Sequence, residues 1–183
     1  GKTDEPYLRI VNSSYHKLVV LIIVSTIPTG IIGVVGKDVV EMASEILLIP
    51  GICLILTAVL LFIADHTRDG EKLPKSVTYT NAFGVGIAQG IATLPGLSRS
   101  GTTITACLLS GFNRNFAVKY SFLMSIPAIL GALVLELKDC TAVALSGAEI
   151  AYYVVGIIVA AVVGYVCIKT MLIVVRRKKF TGL

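Results

Sequence analysis

Four long apolar runs, at about 16–36, 46–64, 116–137 and 149–175, alternate with short polar and charged segments. Each is close to the roughly 20 residues a helix needs to cross a bilayer. Pro28 and Gly30 interrupt the first run, which predicts a kinked membrane helix whose freed carbonyl is satisfied by neighbouring groups. Residues 1–15 carry Lys2, Asp4, Glu5 and Arg9 and read as a loop or interfacial arm. Lys37 to Glu45 is short and charged, a candidate surface helix or loop, and Asp65 to Thr80 reads as a solvated connection. Residues 81–113 break the alternation. Two apolar flanks, about 81–97 and 100–111, surround the polar knot Ser98-Arg99-Ser100-Gly101-Thr102-Thr103. Each flank is too short to span, so the stretch predicts two half-helices that enter the membrane and meet at a turn.

The knot has the parts of an oxyanion site. Pro95-Gly96 is expected to break the first half-helix, since Pro restricts its predecessor and Gly permits turn geometries. Ser100 is the expected cap of the second half-helix, whose first N–H groups then face the turn. Such an N-terminus binds phosphate readily. Arg99 adds a planar fork suited to phosphate oxygens, and Ser98, Ser100, Thr102 and Thr103 add hydroxyls. A helix-capping turn with small residues for packing is the blander reading, and Gly86-x-x-x-Gly90 suits close helix contact. An arginine in so apolar a setting argues instead for function, because a charge at membrane depth costs several kcal/mol.

Composition makes the membrane setting firm. Of 183 residues 55% are hydrophobic, mean hydropathy is +0.87 and tryptophan is absent, so a soluble domain would have no means of hiding the apolar surface. The net charge of +5 reflects loop residues, and nucleic acid is not an expected partner. With a re-entrant pair, segments 1–15, 65–80, 112–115 and 176–183 share a face carrying Lys2, Arg9, Arg68, Lys72, Lys75, Arg114 and the cluster Arg176-Arg177-Lys178-Lys179. The opposite loops hold only Lys37 and Lys138, which puts both termini in the cytoplasm. Cys53, Cys107, Cys140 and Cys167 have no metal-ligand spacing. His16, His66 and Glu136 receive no catalytic assignment, while Gln89, two turns before the breaker, is a candidate phosphate contact or a helix–helix hydrogen bond.

The segment Pro95-Gly96-Leu97-Ser98-Arg99-Ser100-Gly101-Thr102-Thr103 resembles the PGxSRSxxT signature of bacterial undecaprenyl pyrophosphate phosphatases, the bacitracin-resistance family. The resemblance continues through Ala82-Phe83, Gly86 and Gln89 upstream and Ser121-Phe122-Leu123, Ile126-Pro127 and Gly131-Ala132 downstream. It implies an all-α polytopic membrane bundle with a re-entrant helix pair, part of an inverted-repeat fold, in the bacterial plasma membrane, with a site opening to the outer face. The implied reaction is hydrolysis of undecaprenyl pyrophosphate to undecaprenyl phosphate, the lipid carrier of peptidoglycan synthesis. Ser98, Arg99 and Thr103 are then the catalytic candidates, with Ser100, Gly101, Thr102 and Gln89 added as pyrophosphate contacts. A divalent ion, magnesium or calcium, is implied as cofactor, but no ligands for it are visible in this chain. The expected partners are the polyprenyl pyrophosphate and membrane lipids, with homo-oligomerisation left open.

The family's glutamate-rich first-half motif, followed by a serine and a histidine, is not found. Glu41 and Glu45 have E-x-x-x-E spacing without the turn and His that should follow. The chain therefore reads as one membrane domain over 1–183, truncated at both ends, without the acid–base and metal half of the site. Other lipid phosphatases carry an S-R-x5-H block, which fails here because Thr105 holds the required position. A carrier that binds lipid phosphate without hydrolysing it, and an inactive truncated copy, are the alternative readings.

Overall fold

The computed structural model describes residues 6–139 and 147–176, and all its regular elements are helices. They are α1 (Pro6–Val35), α2 (Lys37–Glu45), α3 (Leu48–His66), α4 (Tyr79–Ile91), α5 (Arg99–Leu109), α6 (Arg114–Asp139) and α7 (Gly147–Arg176). Of the basic residues counted above, Lys2 and the cluster beyond Arg176 lie outside the described residues, as does Cys140.

Several boundaries differ from the sequence reading. From Pro6 onward the expected N-terminal loop is helical: proline suits a first helical position, and no glycine or further proline intervenes before Pro28. The first half-helix ends at Ile91 rather than near residue 97. Beyond it the backbone tightens, with Thr93 N donating to Gly90 O at 3.3 Å and Leu94 N to Ile91 O at 3.2 Å. Thr93 Oγ1 also donates to Gly90 O at 2.7 Å. Pro95 then disfavours helical geometry at Leu94, and Gly96 turns the chain with φ at +86°.

Close packing against α1 seats α4. A Cβ on Gly86 would overlap the Ser25 carbonyl and lie 2.6 Å from Pro28 Cγ, and one on Gly90 would lie 2.8 Å from Ile32 Cβ. Thr29 Oγ1 donates to Gly86 O at 2.8 Å across this contact. One turn earlier along the same stripe of α1, the Tyr120 hydroxyl donates to Leu21 O and lies 2.9 Å from Ser25 Oγ, fixing α6. Phe112, Phe116 and Tyr120 form an aromatic cluster beneath it. Thr105 Oγ1 contacts Leu60 O at 3.2 Å, tying α5 to α3.

One lysine shows the path of the short pair. Lys72 Nζ donates to Ser110 O at 2.9 Å, just past the end of α5, and lies 3.4 Å from Asn81 Oδ1, in the first turn of α4. The pair thus starts and finishes at one end of the bundle. Lys17 Nζ reaches Lys75 O at that end, and Arg114 Nη2 donates to Ala64 O and Thr67 O beside the C-terminus of α3. The α4–α5 hairpin runs from there into the bundle and back, and its helices of 13 and 11 residues are each shorter than a spanning helix.

Among the described residues, four helices are long and apolar enough to span a bilayer: Ser14–Val35, Leu48–His66, Arg114–Leu137 and Glu149–Met171. Their outward faces are apolar, with Ile55, Phe62, Leu133 and Ile157 all exposed. That surface suits lipid rather than water, and the chain is a multi-pass membrane protein.

Candidate functional site

The turn between α4 and α5 is held from outside by α3. Thr57 Oγ1 accepts from Ser98 N at 3.0 Å and lies 3.2 Å from Gly96 O. Gly96 packs so tightly that a Cβ would overlap the Pro50 carbonyl, and its positive φ excludes most side chains as well. A threonine 41 residues before Ser98 therefore fixes the turn from which the polar knot projects.

Ser98, not Ser100, caps α5. Its Oγ accepts from Gly101 N at 3.1 Å, and its carbonyl takes the first helical bond, from Thr102 N at 2.9 Å. The reason is register: the helix opens two residues earlier than a Ser100 cap requires, so Arg99 is already its first residue. The N–H groups of Arg99 and Ser100 are left without a hydrogen-bonded partner among the described residues. The half-buried Arg99 guanidinium likewise has no hydrogen bond or ion pair among them. A cation at the positive end of a helix dipole is unfavourable by itself, and an anion there answers both charges.

Arg99 opens into a cavity of about 230 Å³ that it shares with Gln89, Ser100 and Thr103, and with Ser121, Phe122 and Ser125 from α6. The fold thus brings together four of the sequence candidates. The other three do not line this space. Ser98 Oγ is engaged in capping, Thr102 Oγ1 bonds back to Ser98 O at 2.8 Å, and Gly101 packs towards Leu61. Thr103 Oγ1 contacts Arg99 O at 2.9 Å and makes a short hydrogen bond with Ser121 Oγ. Ser121 and Ser125 were missed as site residues. Their signal was the four-residue spacing that places two small hydroxyls on one face of an apolar helix.

A second cavity, about 360 Å³, continues from the first between α1 and α6, and both are walled by Gln89 and Arg99. Gly30, Gly33, Ala128, Gly131 and Ala132 leave it room and a largely apolar lining, and Lys37 and Glu136 also line it. A polar chamber therefore gives onto an apolar groove.

The donors available suit anion binding and charge stabilisation. Magnesium and calcium take oxygen ligands, chiefly carboxylates and carbonyls. The 230 Å³ chamber has a guanidinium, hydroxyls and one amide on its walls, and no carboxylate. Among the described residues, no three His, Cys, Asp or Glu side chains gather to hold a metal. This donor set does not fit the divalent ion that the resemblance implies, and Arg99 would repel one.

Comparison with known proteins agrees with the signature around this turn. A family model described as bacitracin resistance protein BacA matches residues 3–182. A protein of Alkaliphilus metalliredigens named undecaprenyl-diphosphatase is 43% identical over 92% of this chain and 62% of its own length. Proteins of the same name from Carboxydothermus hydrogenoformans and Halothermothrix orenii are 41% and 42% identical, over 95% and 90% of this chain and 67% and 63% of their own lengths. The chain thus spans 62–67% of the length of these relatives. With nearly every residue inside the matched region, the chain belongs to the BacA bacitracin resistance family.

Proposed function

We propose that the chain forms the pyrophosphate-holding part of an undecaprenyl pyrophosphate phosphatase, which releases the terminal phosphate and returns undecaprenyl phosphate to the cell-wall cycle. One observation carries the reading: Arg99, without a protein partner among the described residues, lies at the N-terminus of α5 where a polar chamber meets an apolar groove. The names of the relatives point to the same substrate. In this reading the diphosphate occupies the chamber and the first prenyl units lie between α1 and α6. A soluble diphosphate would have no use for that groove.

Arg99 and the Arg99 and Ser100 N–H groups hold the phosphoryl oxygens and stabilise the charge that shifts as the P–O bond breaks. Thr103 and the Ser100 hydroxyl orient those oxygens, and Ser98 keeps the N–H groups aimed by capping the helix. No imidazole or carboxylate lines the chamber, so general acid–base chemistry is not assigned to it. Magnesium or calcium remains what the resemblance implies, and no step here runs through either.

The same reading takes the α4–α5 hairpin as re-entrant in the plasma membrane, entering from the cytoplasmic side and presenting the chamber outward. The gathering of Lys17, Lys72, Lys75 and Arg114 at the hairpin's open end supports that orientation. The test is phosphate release from undecaprenyl pyrophosphate by the purified full-length protein in detergent. Tight binding of the lipid with no release would replace hydrolysis with a carrier function.

A further inference from the structure

Gln89 stands where the polar chamber and the apolar groove meet, and it lines both. It is 1% exposed. Its Nε2 is 3.4 Å from Thr29 Oγ1 and 3.4 Å from Met124 O, while its Oε1 is buried with no hydrogen-bond partner among the described residues. The network sets which way the amide points. Met124 O can only accept, and Thr29 Oγ1 has one proton, directed to Ser25 O or Gly86 O. Turning the amide over would set two carbonyl oxygens against each other and strand both amide protons. A buried acceptor left without a donor is costly, so the site is complete only when something in it donates a proton to Oε1.

A fully ionised phosphate has no proton to donate. A singly protonated one has: its charged oxygens suit Arg99 and the N-terminus of α5, and its P–OH suits Gln89. The geometry points to Gln89 as a specificity-determining residue that selects the protonated form of the ligand's phosphate. This deepens, and rests on, the reading of the chamber as a phosphate site. The two residues pull in opposite directions with pH. Arg99 alone favours the more highly charged dianion, present at higher pH. Gln89 favours the monoanion, present at lower pH. From α1 and α6 the amide meets the neutral Thr29 hydroxyl and Met124 carbonyl, and Arg99 of α5 lines the same chamber. Lys37 and Glu136 also line the groove and are present for both probes.

The test compares geranyl phosphate with geranyl sulfate by calorimetric binding to the purified full-length protein. A phosphate ester loses its second proton near pH 6, so binding is followed from about pH 5 to about pH 8. Geranyl phosphate should weaken about tenfold across that interval, the effect of one unanswered buried acceptor. Geranyl sulfate keeps one charge and no proton throughout, and should bind weakly with little change. Gln89→Met keeps the volume without the acceptor and should reverse the phosphate profile, which then strengthens as pH rises while the sulfate profile stays nearly flat. The wild-type comparison holds whether or not that variant folds. In the wild type, phosphate binding that strengthens as pH rises, or profiles of the same shape for both probes, would overturn the role of Gln89. Failure of both probes to bind at any pH would overturn the phosphate reading of the chamber along with it.

Discussion

Replacing Arg99 by alanine should separate stability from activity, because the fold itself makes so little use of this side chain. Its guanidinium has no protein hydrogen bond among the described residues and sits in the first position of α5, at the positive end of the helix dipole. A cation there opposes the dipole by about 0.3–1 kcal/mol, so Arg99→Ala should leave the protein as stable as wild type or more so by that amount. Ser98→Ala is the contrasting perturbation. Ser98 Oγ accepts from Gly101 N, and losing a serine cap costs roughly 0.5–2 kcal/mol. Turnover should rank the other way. Loss of one donor aimed at transition-state charge costs about 2.7–4 kcal/mol, or roughly 100- to 1,000-fold in rate. Arg99→Ala should fall at least that far, and Arg99→Lys should be strongly impaired too, keeping the charge without the planar fork. Ser98→Ala should lose less turnover per folded molecule, since its hydroxyl does not line the chamber. The assays are thermal unfolding in detergent and phosphate release normalised to folded protein. Arg99→Ala that unfolds more readily than wild type, with activity falling only in step with folded protein, would refute the reasoning.

Gly86→Leu should destabilise by about 1–3 kcal/mol, the usual cost of overpacking, because the added side chain meets the Ser25 backbone and Pro28; thermal unfolding checks it. Thr57→Val leaves Ser98 N without its acceptor at nearly unchanged volume and should cost about 1–3 kcal/mol, with turnover falling as the turn loosens. Cysteines placed at the exposed positions Lys75 and Asn115, in a background without native cysteines, should resist a membrane-impermeant thiol reagent in intact cells. Labelling of either from outside would reverse the proposed orientation. The chain alone should bind geranyl phosphate but release little phosphate from undecaprenyl pyrophosphate, since its chamber has no acid–base group on its walls. Robust turnover by residues 1–183 would place such a group within the chain.

The sequence by itself determined the features that depend on local run length and local chemistry. Nineteen or more residues of sustained apolarity mark a spanning helix wherever they occur, so α1, α3, α6 and α7 were legible to within a few residues in their apolar parts. So was the interruption at Pro95-Gly96, because backbone restriction by proline and freedom at glycine need no tertiary partner. Arg99 stood out for the same reason: a charge in an apolar stretch is costly under any packing. Register was less secure. A two-residue shift in where α5 opens gave the cap to Ser98 rather than Ser100, and that choice depends on Thr57 holding Ser98 N from another helix. The membership of the chamber was decided by tertiary structure alone. Ser121 lies 18 residues beyond Thr103 and meets it only because α6 returns alongside α5. Thr29 and Met124, 60 and 35 residues from Gln89, decide which way its amide points. Arg114 appeared in the sequence as one more loop charge. It proves 7% exposed, its guanidinium spent on the last carbonyls of α3. Hydrogen-bond direction and burial belong to pairs of groups, and pairs this far apart along the chain meet only when helices pack.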